Sequence, residues 1–410
     1  PKAAGAALTV SVRGRAGAGH LLLCRFVLAL GDGALATGDS DGHRHGYPIA
    51  LSGDGLTIVA SSSASDSSAD VRAYAWNDST GWAPKGTDIH DAAAHSSTSP
   101  SGGTRIDQVA INADGSRIAM SARYGNYAIV FGYNAVSSDW EQVGQQLDSS
   151  IMVLGTNAVR AVALSGDGAR LAVGVSSTTG ANVGGVYVFE FNEDTQLWSA
   201  MSGVIDGSPD FVDKDWGTGL AMSADGTVIA MGSTSLTNPE RVRTFEWLPS
   251  TGWTKRGDVV SDVDGLGINT DGRLFGADQG VELSLSADGA RLAVGAPRAA
   301  LVGSGAYGLA MTFEWDDGDG EWNVMGSPTA FIGTTDNTWV GASVVLSADG
   351  MTLAIGTRFG GASNHPSGSV GMHVWNGTEW QLVEQLYEHV DNRDGFGLAV
   401  GMSADSKVVA

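Results

Sequence analysis

The sequence predicts an all-β fold, and three observations predict it. A turn of the Ser-x-Asp-Gly type, with Asn112 for the serine at one copy and Ser406 for the glycine at another, recurs along the 410 residues, its aspartate standing at Asp54, Asp114, Asp167, Asp225, Asp288, Asp349 and Asp405. Two ring-bearing residues, two positions apart, recur in step with it at Tyr74/Trp76, Phe131/Tyr133, Phe189/Phe191, Phe245/Trp247, Phe313/Trp315 and His373/Trp375. No stretch carries the apolar spacing of an amphipathic helix. The interval of roughly 60 residues marks a repeat architecture rather than two or three unrelated domains.

Within one unit, Gly280 to Gly326, the elements read in order. Val281 to Leu285 alternates and runs into Ser286-Ala287-Asp288-Gly289, whose Asp-Gly step suits the positive φ of a tight hairpin. Arg291 to Gly295 returns as a second strand. After a loop through Pro297 and Gly305, Gly308 to Trp315 forms a third, with Phe313 and Trp315 on one face because strand side chains alternate. A polar turn, Asp316 to Gly320, delivers Glu321 to Met325 as a fourth.

Four short antiparallel strands cannot bury both faces alone, but such sheets packed face to face in a ring can. Each aromatic pair is followed by one more tryptophan, at Trp82, Trp140, Trp198, Trp253, Trp322 and Trp380. These are expected between the sheets, where each contributes roughly 1.5–3 kcal/mol. The expectation is therefore a seven-bladed β-propeller of four-stranded antiparallel blades, one for each turn. Its last blade is expected to be incomplete or closed by the N-terminal segment, because the seventh unit stops at Val408-Val409-Ala410 inside a second strand.

Residues 47–410 are read as the propeller and residues 1–46 as a divergent segment without the turn or a tryptophan. Three readings of that segment stay open. Ala7 to Val12 and Leu21 to Leu30 fit strands that close the ring. Arg13 and Arg15 ahead of the apolar stretch suggest a secretory leader, although Arg25 interrupts its core. The absence of an initiator Met and the ending within a strand fit a fragment of a longer product, the preferred reading.

Composition narrows the function classes. A net charge of −22 leaves no basic patch to displace counterions from phosphates, which excludes a nucleic-acid surface. Apolar residues reach 42% without a run long enough to cross a bilayer as a helix. The one cysteine, Cys24, excludes an internal disulfide and leaves the redox compartment open.

Units such as Trp216 to Ser233 and Leu285 to Pro297 resemble FG-GAP repeats, the propeller units of integrin α-subunit heads. Phe396-Gly397 matches the FG of that family, Trp216-Gly217 approximates it, and Gly295-Ala296-Pro297 matches its GAP. The similarity extends over roughly residues 45 to 410, and Kelch-type propellers are a weaker rival, suggested by Gly102-Gly103, Gly184-Gly185 and Gly360-Gly361. The resemblance implies an interaction module, extracellular or at the cell surface. Integrin-like repeats often add a calcium loop between the first two strands, but the connection here holds one carboxylate where calcium takes six to eight oxygens. The metal sites of that family therefore do not carry over.

Motifs for catalysis are weak. Gly38-Asp39-Ser40-Asp41-Gly42 matches a nucleophile elbow, yet no helix follows it. His43 with His45, and His90 with His95, lack partners at zinc spacing. The acidic clusters Asp262/Asp264 and Asp316/Asp317/Asp319 lack a full calcium ligand set. Strand order instead places the long, variable connections together on one rim, among them Ser61 to Ala69, Ser176 to Gly184, Pro297 to Gly305 and Arg358 to Ser369.

The first expectation is a non-catalytic binding or adhesion module that recognises a protein or glycan with that rim. Arg298, Arg358, Phe359 and His365 are its candidate anchors, arginine and aromatics being enriched at hot spots. Catalytic residues and metal ligands are read as none, and cofactors as none with calcium left open. The alternative is a propeller enzyme, glycan-processing or quinone-dependent, with acids or cofactor ligands converging at the channel mouth. Asn77 and Asn376 head N-x-S/T sequons after the third strand and are candidates for glycosylation on the short-turn rim.

Overall fold

The structure, a computed structural model, describes residues 9–15, 21–27, 44–63, 70–90, 106–122, 125–152, 157–177, 184–206, 216–233, 242–258, 268–269, 282–297, 300–301, 308–327, 331–333, 339–358, 368–387 and 397–410. The named elements among them are all β-strands. No helix of the described residues is long and apolar enough to cross a membrane.

Six sheets share one four-stranded order and form the blades of a β-propeller, spanning residues 44–84, 106–142, 157–200, 216–258, 282–324 and 340–387. In blade 5, Glu282–Leu285, Arg291–Ala296, Leu309–Asp316 and Glu321–Val324 pair in chain order, each antiparallel to the next. Blade 6 repeats this with Val340–Leu346, Thr352–Thr357, Ser369–Trp375 and Trp380–Tyr387. The strands predicted for blade 5 shift by a residue at their ends. Gly308, expected to open the third strand, instead has φ +77° and bridges to Val340 of the next blade.

The expected count of seven blades is corrected to six. The seventh turn does form, and its strand Val408–Val409 folds back on Met402. The next partner of that strand, however, is Leu21–Val27, which runs parallel to it and is itself paired with Thr9–Arg15. These make a three-stranded sheet of mixed direction, with the N-terminal segment against the seventh turn's strand. Counting turns counts only first-to-second hairpins, whereas the third and fourth strands need the aromatic pair and tryptophan that follow the other six turns.

The turns themselves close a sevenfold ring of hydrogen bonds between neighbouring units. Asp54 N–H donates to Ala113 O, Ala113 to Gly166, Gly166 to Ala224, Ala224 to Ala287, Ala287 to Ala348, Ala348 to Ala404 and Ala404 to Gly53, all at 2.7–2.9 Å. The residue after each turn's first position is always Gly or Ala. A Cβ on Gly53 would already lie 3.1 Å from the Ala113 backbone.

Inside each turn the polar groups are consumed locally. Ser286 Oγ donates to Asp288 Oδ1 at 2.6 Å and accepts Arg291 N–H at 2.8 Å, while Ala290 N–H donates to the same Oδ1 at 2.9 Å. Asn112 replaces the serine in blade 2 and accepts from Ser116 and Arg117 N–H. At the seventh turn Ser406 takes the left-handed conformation that glycine holds elsewhere, at φ +57°. Cations from one blade then reach the turn of the next: Lys85 to Gly115 O at 2.7 Å, Arg117 to Gly168 O at 2.9 Å, Arg256 to Gly289 O at 3.2 Å and Arg291 to Asp349 O at 2.8 Å.

The apolar core lies between blades. One cluster joins Ala221, Ala230 and Val242 of blade 4 to Leu292, Val294, Phe313 and Trp322 of blade 5. Trp140, Trp198, Trp322 and Trp380 are buried as expected, and each donates Nε1 to the preceding blade, for example Trp198 to Val143 O at 2.9 Å. Trp82 and Trp253 are half-buried, and their Nε1 atoms find no partner among the described residues. Toward the channel, backbones meet directly through glycines. A Cβ on Gly174, Gly295 or Gly356 would collide with the carbonyl of Gly217, Gly341 or Gly397 in the following unit, and those three partners all have φ near +80°. Gly217 and Gly397, which suggested FG, and Gly295, which suggested GAP, thus each face another glycine across a blade seam.

Candidate functional site at the seam of blades 5 and 6

The innermost strand of blade 5 presents alternate residues to its two neighbours. Leu283 and Leu285 pack on the cluster shared with blade 4, whereas Ser284 turns to blade 6 and accepts Leu346 N–H at 2.9 Å. Glu282 shares the parity of Ser284 and so lies on the blade 6 side. The corresponding positions, four residues before the first turn residue, hold Gln108, Ala161, Gly219 and Ser343 in blades 2, 3, 4 and 6. Gln108 and Ser343 use theirs to accept an edge N–H of the next unit, from Val162 and Val400, each at 3.1 Å. Glu282 places a carboxylate where these blades have small or neutral groups.

Part of Glu282 stays open, but protein encloses it closely enough that burial pushes its pKa up to about 7. Its cross-strand partner is Gly295. A Cβ on Gly295 would stand 3.2 Å from Glu282 Cβ and press on Gly341 O, so the carboxylate's root and the start of blade 6's innermost strand border the same point.

Just outward of that point, Val340 pairs with Thr357, and past this pair Trp339 and Arg358 meet. The Arg358 guanidinium lies 4.9 Å from the Trp339 ring centroid, and both residues are half-exposed. Trp339 has φ +48°, a left-handed conformation that is strained for so bulky a side chain. Glu282 on blade 5 and the Arg358–Trp339 pair on blade 6 therefore both stand at the long-loop end of this seam, and burial alone accounts for the raised pKa of Glu282.

A charged pair stands at the corresponding level between blades 2 and 3. Arg160 Nη1 lies 3.5 Å from Asp107 Oδ2, and Arg160 Nε donates to Ser176 Oγ at 3.1 Å. Both strands bulge at these residues, which takes the two side chains out of the regular alternation.

Of the four anchors expected from the sequence, Arg358 belongs to the seam; Arg298, Phe359 and His365 lie outside the described residues, as do the Gly38–Gly42 motif, His43, His95, Asp262 and Asp264. The side chains of His45 and His90 also lie outside them. Glu282 and Trp339 were missed. The signal for Glu282 was a carboxylate at a register where the neighbouring units carry none, and Trp339 stands outside the repeating aromatic positions. In the acidic cluster, Asp316 Oδ1 accepts Gly318 N–H and Asp317 Oδ1 accepts Trp315 Nε1, both at 2.7 Å, which is turn chemistry. Among the described residues no three His, Cys, Asp or Glu side chains gather to hold a metal.

No protein-family model and no curated protein matches the chain. Solved structures do. A protein from Lactobacillus plantarum superposes with a TM-score of 0.54 at 15% identity, covering 94% of this chain and 90% of its own. The periplasmic gluconolactonase PpgL of Pseudomonas aeruginosa gives 0.52 at 14% identity, covering 92% of this chain and 94% of its own. The Cps50 (Swd1) β-propeller domain of Myceliophteria thermophila gives 0.50 at 12%, covering 87% and 89%. At such identities the likeness is one of fold.

Proposed function

We propose that this propeller is an enzyme that hydrolyses a small carbohydrate-derived lactone or ester at the seam of blades 5 and 6. The observation that carries the reading is Glu282, a carboxylate held near pKa 7 and therefore able both to take and to give a proton at neutral pH. In this reading Glu282 takes the proton of a water as its oxygen bonds to the ester carbonyl carbon, then returns it to the alkoxide that leaves. Arg358 faces the developing oxyanion or an acid group of the substrate, and Trp339 stacks on the sugar ring. The fold shared with a gluconolactonase supports this choice of substrate class.

The test is turnover of a panel of sugar lactones by the full chain. Glu282→Gln is expected to lower kcat by about 100-fold or more and to abolish a pH limb near 7. Wild-type protein inert to the whole panel, or a variant with unchanged rate and pH profile, would overturn the reading.

A second reading follows from Arg358 on Trp339, since arginine and tryptophan dominate interface hot spots. In it the long-loop rim binds a protein or glycan partner, the setting is extracellular or the cell surface, and the kinship is with FG-GAP repeats. Trp339→Ala should then remove binding on a glycan array with little change in thermal midpoint. Lactone turnover by the wild-type protein together with its failure to bind anything on the array would discard this reading and keep the first.

A further inference from the structure

The third-to-fourth turn of blade 6 is chemically unlike its counterparts. An asparagine opens this turn at Asn77, Asn134, Asn192 and Asn376, but it is followed by Asp78, Ala135, Glu193 and Gly377 respectively, and Asn376-Gly377 is the one Asn-Gly step in the chain. Gly377 has φ +102° and, apart from its chain neighbours, nothing within 4 Å of where a Cβ would stand, so the space beside its backbone is open. Asn376 is exposed.

Asn376 Oδ1 accepts three hydrogen bonds, from Thr378 N–H, Thr378 Oγ1 and Glu379 N–H, all at 2.9 Å. Donors converging on a carbonyl oxygen stabilise the oxyanion that forms when its carbon is attacked. The turn is thus built like a small oxyanion hole around the Asn376 side-chain carbonyl, next to a glycine that carries no side chain to hinder attack by its nitrogen.

We propose that Asn376 is a self-modification site at which the folded turn promotes deamidation. Gly377 N loses its proton and bonds to Asn376 Cγ, and the tetrahedral adduct expels Nδ2 as ammonia to leave a succinimide. Water then opens either ring carbonyl, giving aspartate or isoaspartate, with no oxidant or reductant consumed. The product adds a negative charge at the turn, and the isoaspartate form inserts an extra backbone carbon into the hairpin of Ser369–Trp375 and Trp380–Tyr387. It also removes the Asn376 sequon.

The experiment incubates the full chain at mildly alkaline pH, folded and in parallel unfolded in urea, and follows the peptide holding residues 376–379 by mass spectrometry. Conversion should be several-fold faster in the folded protein. Thr378→Val, which keeps the side-chain shape but removes the hydroxyl donor, should slow the folded rate toward the unfolded one and leave the unfolded rate unchanged. Gly377→Ala should suppress conversion in both states. Slower conversion in the folded chain than in urea, or a folded rate indifferent to Thr378→Val, would overturn the proposal.

Discussion

His373 shows how one residue can run against its repeat. It fills the place held by Tyr74, Phe131, Phe189, Phe245 and Phe313 in the other blades, and it meets Phe331 edge to face at 4.7 Å. Burial lowers its pKa to about 4, and its buried Nδ1 has no partner among the described residues. The imidazole is therefore neutral in the fold, while the unfolded chain protonates it near 6.5. Between these values the unfolded state binds more protons, so stability falls as pH drops from about 6.5 toward 4. The contribution of this group should be on the order of 2 kcal/mol. Urea denaturation of His373→Phe should be less sensitive to acid than that of the wild type over that range; equal sensitivity would show that other groups dominate. The repeat made this residue conspicuous in the sequence, whereas Glu282 was not, because alternation fixes the parity of a strand residue and says nothing about how closely a neighbouring blade encloses it.

The turn is the element whose chemistry was most legible, since Ser, Asp and Gly act within a few residues of one another. For Asp288, burial works to raise the pKa, but hydrogen bonds from Ser286 and Ala290 and the charge of Arg291 carry it below the ordinary carboxylate value. With Oδ1 already accepting twice, Asp288→Ala should cost about 1–2 kcal/mol in chemical denaturation. Calorimetry should find no tight, stoichiometric calcium uptake that this substitution removes. The seams were less legible, because glycine in a strand announces close approach without naming its partner. Gly341→Ala would place a methyl at φ +80° against Leu309 O and 3.1 Å from Ala296 N. A loss of about 3 kcal/mol or more is expected, and a change below about 1 kcal/mol would mean that the seam yields more easily than its geometry suggests.

At the scale of the molecule, the periodic turns and aromatic pairs gave the all-β propeller and the face-to-face packing, and they overcounted its blades. The Asp405 turn resembled the others, but nothing local to it could reveal that its strand would meet Leu21–Val27 in parallel. The ring of turn hydrogen bonds was equally hidden, since each joins residues of different units and the Gly or Ala it needs is unremarkable by itself. That ring bears on how the protein opens. A linear stack of repeats frays from its two ends, because each end unit has a single neighbour. Here Ala404 N–H donates to Gly53 O, so each of the seven turns has a neighbour on both sides and the array has no end from which to unravel. The amide protons of Asp54, Ala113, Gly166, Ala224, Ala287, Ala348 and Ala404 should accordingly exchange with solvent together, in one opening event close to global unfolding. Staggered exchange, fastest at Ala404 and Asp54, would mean that the circle has a preferred point of rupture where the first and seventh turns meet.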